Sequence, residues 1–97
     1  MAESLYKAGY RDTKTWNPPR VGSEARSEIP RGYFLGANRT YPVYKIRDGK
    51  PYLSLTGAVA AWRRAILNGD TAVERKALRL INRLRKEQGL EPWEGRK

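Results

Sequence analysis

A chain of 97 residues with neither cysteine nor histidine has room for one small domain, and it excludes disulfide staples, thiolate chemistry, and the imidazole as base, metal ligand or pH switch. Only 39% of its residues are apolar and the mean hydropathy is −0.79, so the core must be thin, and no run approaches the ~20 apolar residues that span a bilayer. Twenty Lys and Arg against ten Asp and Glu give a net charge of +10, an excess that favours partners of opposite sign: nucleic acid first, then an anionic membrane or an acidic protein face.

Residues 1–40 show no sustained hydrophobic period. Pro18, Pro19 and Pro30, with Gly9, Gly22, Gly32 and Gly36, break helix and strand alike. Tyr6, Tyr10, Trp16, Tyr33 and Phe34 are scattered among them. Disordered tails are poor in aromatic residues, so an extended arm that orders on a partner is the expectation, with a disordered tail as the alternative. Trp16, Pro18, Pro19 and Arg20 read as a docking segment, because successive prolines prefer polyproline II and are partly ordered before binding; a plain spacer is the other reading. Tyr33 and Phe34 are the further candidate anchors. The opening Met-Ala-Glu-Ser-Leu-Tyr lacks the basic and apolar regions of a secretory signal, and the expected location is the cytoplasm or the inside of a virion or ribonucleoprotein particle.

Residues 41–53 predict a β-hairpin. Val43, Tyr44, Lys45, Ile46 and Arg47 form the first strand, Asp48-Gly49 is a two-residue type I′ turn, and Pro51, Tyr52 and Leu53 return at an edge. Ser54 or Thr56 caps a first helix to about residue 68, with Leu55, Val59, Trp62 and Ile66 on its apolar face. Asn68-Gly69 stops it. Asp70 or Thr71 caps a second helix to about residue 88, whose stripe is Val73, Ala77, Leu80, Ile81 and Leu84; Gly89 and Pro92 close it, and Trp93 can fold back over the end of the pair. The predicted class is mainly α: a long irregular N-terminal arm (1–40), then a domain (41–97) of a short β-hairpin and a two-helix antiparallel hairpin. Residues 41–93 are expected to fold without the arm.

The polar face of the second helix carries Arg75, Lys76, Arg79, Arg83 and Lys86, and Arg63 and Arg64 extend it from the first helix. Between residues 54 and 89 there are eight basic and three acidic side chains. Solvated faces mix both signs, whereas a stripe of one sign follows phosphates, each met by an arginine fork. Thr71, Glu74 and Arg75 would face base edges if the pair were a helix-turn-helix, but no third helix is evident to complete such a motif. Tyr41, Tyr44 and Tyr52 can stack on unpaired bases or lay on a helix as core, and core is the favoured reading, as it is for Trp62. Catalysis has no foundation: no paired carboxylates fall at helical spacing on an apolar wall, nothing fixes the separation of Glu24 and Glu28 in the Gly/Pro-rich arm, and Arg31-Gly32-Tyr33-Phe34-Leu35-Gly36 is no phosphate loop. No enzyme activity, cofactor, metal or small-molecule substrate is expected.

Tyr41-Pro42, the Ala-rich helix bearing Ala58, Ala60, Ala61 and Ala65, the turn Asn68-Gly69-Asp70 and the basic helix over 73–86 together resemble small proteins encoded near the capsid genes of tailed phages. The resemblance covers about half of the chain, and the Asp48-Gly49 hairpin is additional to it. It implies association with a virion. The functional expectation is therefore a non-catalytic structural or binding protein of a nucleoprotein particle, a phage virion foremost. It would dock through its arm on a larger protein assembly and touch nucleic acid or an acidic protein surface through the basic helix. The alternatives are a free DNA- or RNA-binding regulator and a ribosome-associated protein.

Overall fold

Asp48 and Gly49 both adopt left-handed backbone, at φ of 50° and 76°, which is what a two-residue type I′ turn demands. They join β1 (Tyr44–Arg47) to β2 (Lys50–Leu53) in an antiparallel pair with Tyr44 opposite Leu53 and Arg47 opposite Lys50. The structure, a computed structural model, describes residues 3–13 and 28–95. Ser54 follows β2 directly and caps α1 (Leu55–Asn68), its side chain accepting from the Gly57 amide. Gly69, at φ 69°, ends α1 and returns its amide to the carbonyls of Ala65 and Ile66. Asp70 then caps α2 (Thr71–Glu87) by accepting from Val73. Two residues between helices leave no room for a parallel return. Accordingly Ala58 and Ala61 of α1 share one buried cluster with Ile81 and Leu84 of α2, Val43 and Leu53. These alanines and their α2 partners lie at similar distances from the turn along the chain, so the helices pack antiparallel along their length.

The face that α1 buries is not the predicted one. Gly57, Ala58, Ala61 and Ala65 are buried, whereas Leu55, Val59, Trp62 and Ile66 are half-buried along the flank. Small side chains let the neighbouring backbones approach closely, and the larger residues then close the seam from the side. α2 follows its predicted stripe: Val73, Ala77, Ile81 and Leu84 are buried and Leu80 is half-buried. Gly89 turns the chain at φ 73°. Beyond it Trp93 packs on Trp62 with ring centroids 5.6 Å apart, and both amide atoms of Asn82 hold its backbone: Nδ2 donates to the Trp93 carbonyl at 2.9 Å and Oδ1 accepts the Trp93 N–H at 2.6 Å.

Residues 3–13 form a strap on the domain. Ser4 forms a single parallel β-bridge to Leu53, with Leu5 N–H donating to Leu53 O at 2.9 Å and Leu53 N–H to Glu3 O at 2.8 Å. Leu5 is fully buried. The Ser4 hydroxyl donates to Glu87 at 2.7 Å, tying the strap to the far end of α2. At its other end Asp12 accepts from the Ser54 hydroxyl at 2.9 Å and from the Leu55 amide at 2.5 Å, so it lies at the positive end of α1. Lys45 neutralises it at 2.9 Å, with both side chains nearly buried, and donates also to the Thr13 carbonyl at 2.7 Å.

Residues 33–43 fold back on themselves. Val43 N–H donates to Tyr33 O and Leu35 N–H to Tyr41 O, both at 3.0 Å, and Phe34 bridges Pro42. At the tip Asn38, Arg39 and Tyr41 all have positive φ, and a side chain at Gly36 would collide with Thr40 and the Tyr41 ring. The Tyr33 and Phe34 rings meet Tyr44 edge-on, at 6.1 and 5.5 Å.

The class expected from the sequence, mainly α with a long irregular arm, is therefore corrected. Among the described residues helix makes up about 47% and strand about 14%: two helices and a two-stranded antiparallel sheet in one globule, with the strap and the 33–43 fold packed against them. The Cα radius of gyration is 12.7 Å, the value of a folded chain of this length and far below the ~30 Å of an unfolded one. The misreading has a physical cause. Ser4, Leu5 and Asp12 find their partners between 33 (Asp12 to Lys45) and 83 (Ser4 to Glu87) residues away, and no local period announces such contacts.

Candidate nucleic-acid interface

α2 sorts its residues by angle. At about 100° per residue, Val73, Ala77, Ile81 and Leu84 fall within an arc of about 80°, and all four are buried. Arg75, Lys76, Arg79, Arg83 and Lys86 occupy a separate arc of about 100° on the opposite side, and all five are exposed. Lengthwise they extend about 16 Å at 1.5 Å per residue. Arg63 and Arg64 are exposed on α1. The sequence-predicted cations thus divide into a continuous stripe of five on α2 and a pair on the second half of α1.

Neighbouring charges have structural work. Asp70 is the cap of α2, and Glu87 accepts from Ser4. Arg85 is half-buried; its Nε donates to the Glu91 carbonyl at 2.5 Å and its guanidinium lies 5.5 Å from the centre of the Trp93 ring, so it fastens the tail and stands apart from the stripe. One further cation is brought near. Exposed Lys7 donates its backbone N–H to Ser4 Oγ at 3.1 Å, and that same oxygen donates to Glu87, which places Lys7 at the C-terminal end of α2. Sequence offered no signal for this, since Lys7 and Lys86 are 79 positions apart.

Of the proposed arm anchors, Phe34 is only 8% exposed and Tyr33 is half-buried against the core. Both pack inside the domain. Trp16, Pro18, Pro19 and Arg20 lie outside the described residues. Tyr44 is buried and Tyr41 packs on the core, while the Tyr52 ring meets Tyr10 at a tilt, with centroids 5.3 Å apart. Trp62 is packed against the core, and its indole N–H is buried without a hydrogen-bond partner. The Tyr10 hydroxyl donates to Asp48, and that hydrogen bond to the carboxylate, more than its partial burial, pushes the phenol up to about 12.

Among the described residues no helix is long and apolar enough to cross a membrane, and no three acidic side chains gather where they could hold a metal. Comparison with protein-family models, with curated proteins and with solved structures gave no match.

Proposed function

We propose that this chain is a small non-catalytic binding protein that contacts nucleic acid through the outer face of α2, as a component of a nucleoprotein particle. One observation carries the reading: five exposed cations of one sign fill a single arc of one helix, with Arg63 and Arg64 exposed on the adjoining helix. Each cation that meets a phosphate releases a condensed counterion, so such a face binds any phosphodiester chain with an affinity that salt weakens. The particle, with a phage virion as its setting, is drawn from the resemblance of the 39–90 region to small proteins encoded near capsid genes. A free regulator built on a helix-turn-helix is disfavoured by the antiparallel packing of α1 on α2, because such motifs splay their helices.

Titrating the full chain against a duplex at several salt concentrations tests the reading. Four phosphate contacts, one each from Arg75, Arg79, Arg83 and Lys86, give a slope of log affinity on log salt of about −3.6. A slope near zero, or displacement of the duplex by polyglutamate as readily as by a second nucleic acid, would favour an acidic protein surface as the partner. Co-sedimentation with a nucleoprotein particle from the native host tests the setting.

A further inference from the structure

We infer that α2 docks flush on the sugar-phosphate backbone of a duplex, outside the grooves, and reads no bases; this rests on the nucleic-acid reading above and specifies its mode. Three observations lead there.

The first is what flanks the helix. A recognition helix must stand proud of its domain, since a helix with its side chains is ~10–12 Å across and the major groove only ~12 Å wide. α2 does not stand proud. On one flank the C-terminal tail runs beside it: the Asn82 amide grips Trp93 through two hydrogen bonds, Arg85 holds Glu91, and a side chain at Gly95 would come within 3.0 Å of Leu78. On the other flank, near its C-terminal end, Ser4 of the strap is bonded to Glu87. The cationic arc lies between these two borders, so the basic surface is broad and level.

The second observation is the chemistry on offer. Adenine is read by the amide of Asn or Gln, offered as donor and acceptor together. Asn82 is the one such amide within Thr71–Glu87, and both its donor and its acceptor already serve Trp93. The arc itself presents Arg and Lys beside the small Ala72; an Arg fork can also read guanine, so it is the setting of the arc between its two borders that keeps these forks on the phosphates.

The third observation separates duplex from single strand. Single-strand binders stack bases on aromatic platforms. α2 contains no aromatic residue, and Trp93, which packs beside it, is engaged: it meets Trp62 edge-on and lies against Arg85. A surface of charge without rings suits a partner whose bases are already paired and whose phosphates face outward.

The test footprints the full chain on a duplex at low salt. Ethylating individual phosphates should weaken binding severalfold, methylating guanine N7 in the major groove should leave it unchanged, and permuting the duplex sequence should alter affinity by less than about tenfold, against the ~10³-fold or more that separates specific from non-specific sites for a base reader. Single strands should bind no better than the duplex. Protection of guanine N7, a preference of ~10³-fold for one sequence, or tighter binding to single strands would overturn the flush-docking mode while leaving nucleic-acid binding intact. Absence of salt-sensitive binding to either form would overturn the mode together with the reading beneath it.

Discussion

Lys45 and the cations of α2 carry the same charge and are treated in opposite ways. Lys45 is 8% exposed, 2.9 Å from Asp12, and bonded to the Thr13 carbonyl; its charge holds the strap against the start of α1. Arg75, Lys76, Arg79, Arg83 and Lys86 are exposed on a face that α2 turns away from the core. Removing a partner from a nearly buried pair strands a charge and costs stability. Removing a cation from the exposed arc changes stability little and weakens attraction to a polyanion. The net charge of +10 therefore has a structural part and an exposed part, to which we assign the proposed binding, and substitution can separate them.

The largest effect is expected from deleting residues 1–13. The domain then loses fully buried Leu5, the β-bridge at Ser4 and the Asp12 contacts at the start of α1. Circular dichroism of the remaining chain should show loss of cooperative folding, contrary to the expectation that residues 41–93 suffice alone. A truncated chain that melts like the intact one would mean that the strap is not part of the core. Next comes Asp12→Ala, expected to cost ~3–5 kcal/mol in urea unfolding because Lys45 is left buried and unpaired. The double variant Asp12→Asn with Lys45→Met should cost much less than the sum of the two single changes. Additivity would show that the pair is not coupled.

Leu84→Ala should cost ~2–5 kcal/mol, as expected for a buried leucine. Leu80→Ala should cost less, since Leu80 is half-buried whereas Leu84 is 1% exposed. Sequence periodicity placed both in one stripe but could not rank them. That contrast shows how far the sequence is readable. Local chemistry was legible: Asp48-Gly49 demanded its turn, Ser54 and Asp70 their caps, and Gly69 and Gly89 their helix ends. The cationic arc followed from spacing alone. Two features were not legible. The small-residue face of α1 became the buried face because close helix approach rewards Ala58, Ala61 and Ala65 more than the bulk of Val59 and Ile66. The strap escaped because Ser4–Leu53, Ser4–Glu87 and Asp12–Ser54 are contacts of high sequence separation made by a segment with no period. Lys7 was missed for the same reason.

Asn82→Ala should cost ~1–3 kcal/mol, since the Trp93 amide and carbonyl lose their partners. Tryptophan fluorescence should report the loosened tail before global unfolding, and a single concerted transition would mean that the tail is not a separate unit. The smallest effect belongs to Tyr10. Its phenol, pushed up to about 12, contributes stability that is present below the ordinary tyrosine pKa of about 10 and is lost as pH rises through the folded value. Tyr10→Phe should remove one late-forming phenolate from an alkaline ultraviolet titration; a titration that keeps every late step would mean that the bond to Asp48 does not hold this phenol.

The division between structural and binding charge is tested most directly by one comparison of duplex affinity across salt concentrations. Its subjects are the intact chain and a variant with Arg75, Arg79, Arg83 and Lys86 all changed to Gln. The account predicts a slope of about −3.6 for the intact chain and a much shallower slope for the variant, in which Lys76 alone remains of the α2 stripe, with the two unfolding at nearly the same urea concentration. An unchanged slope in a folded variant would contradict it, because the cations that bind the polyanion would then lie somewhere other than α2.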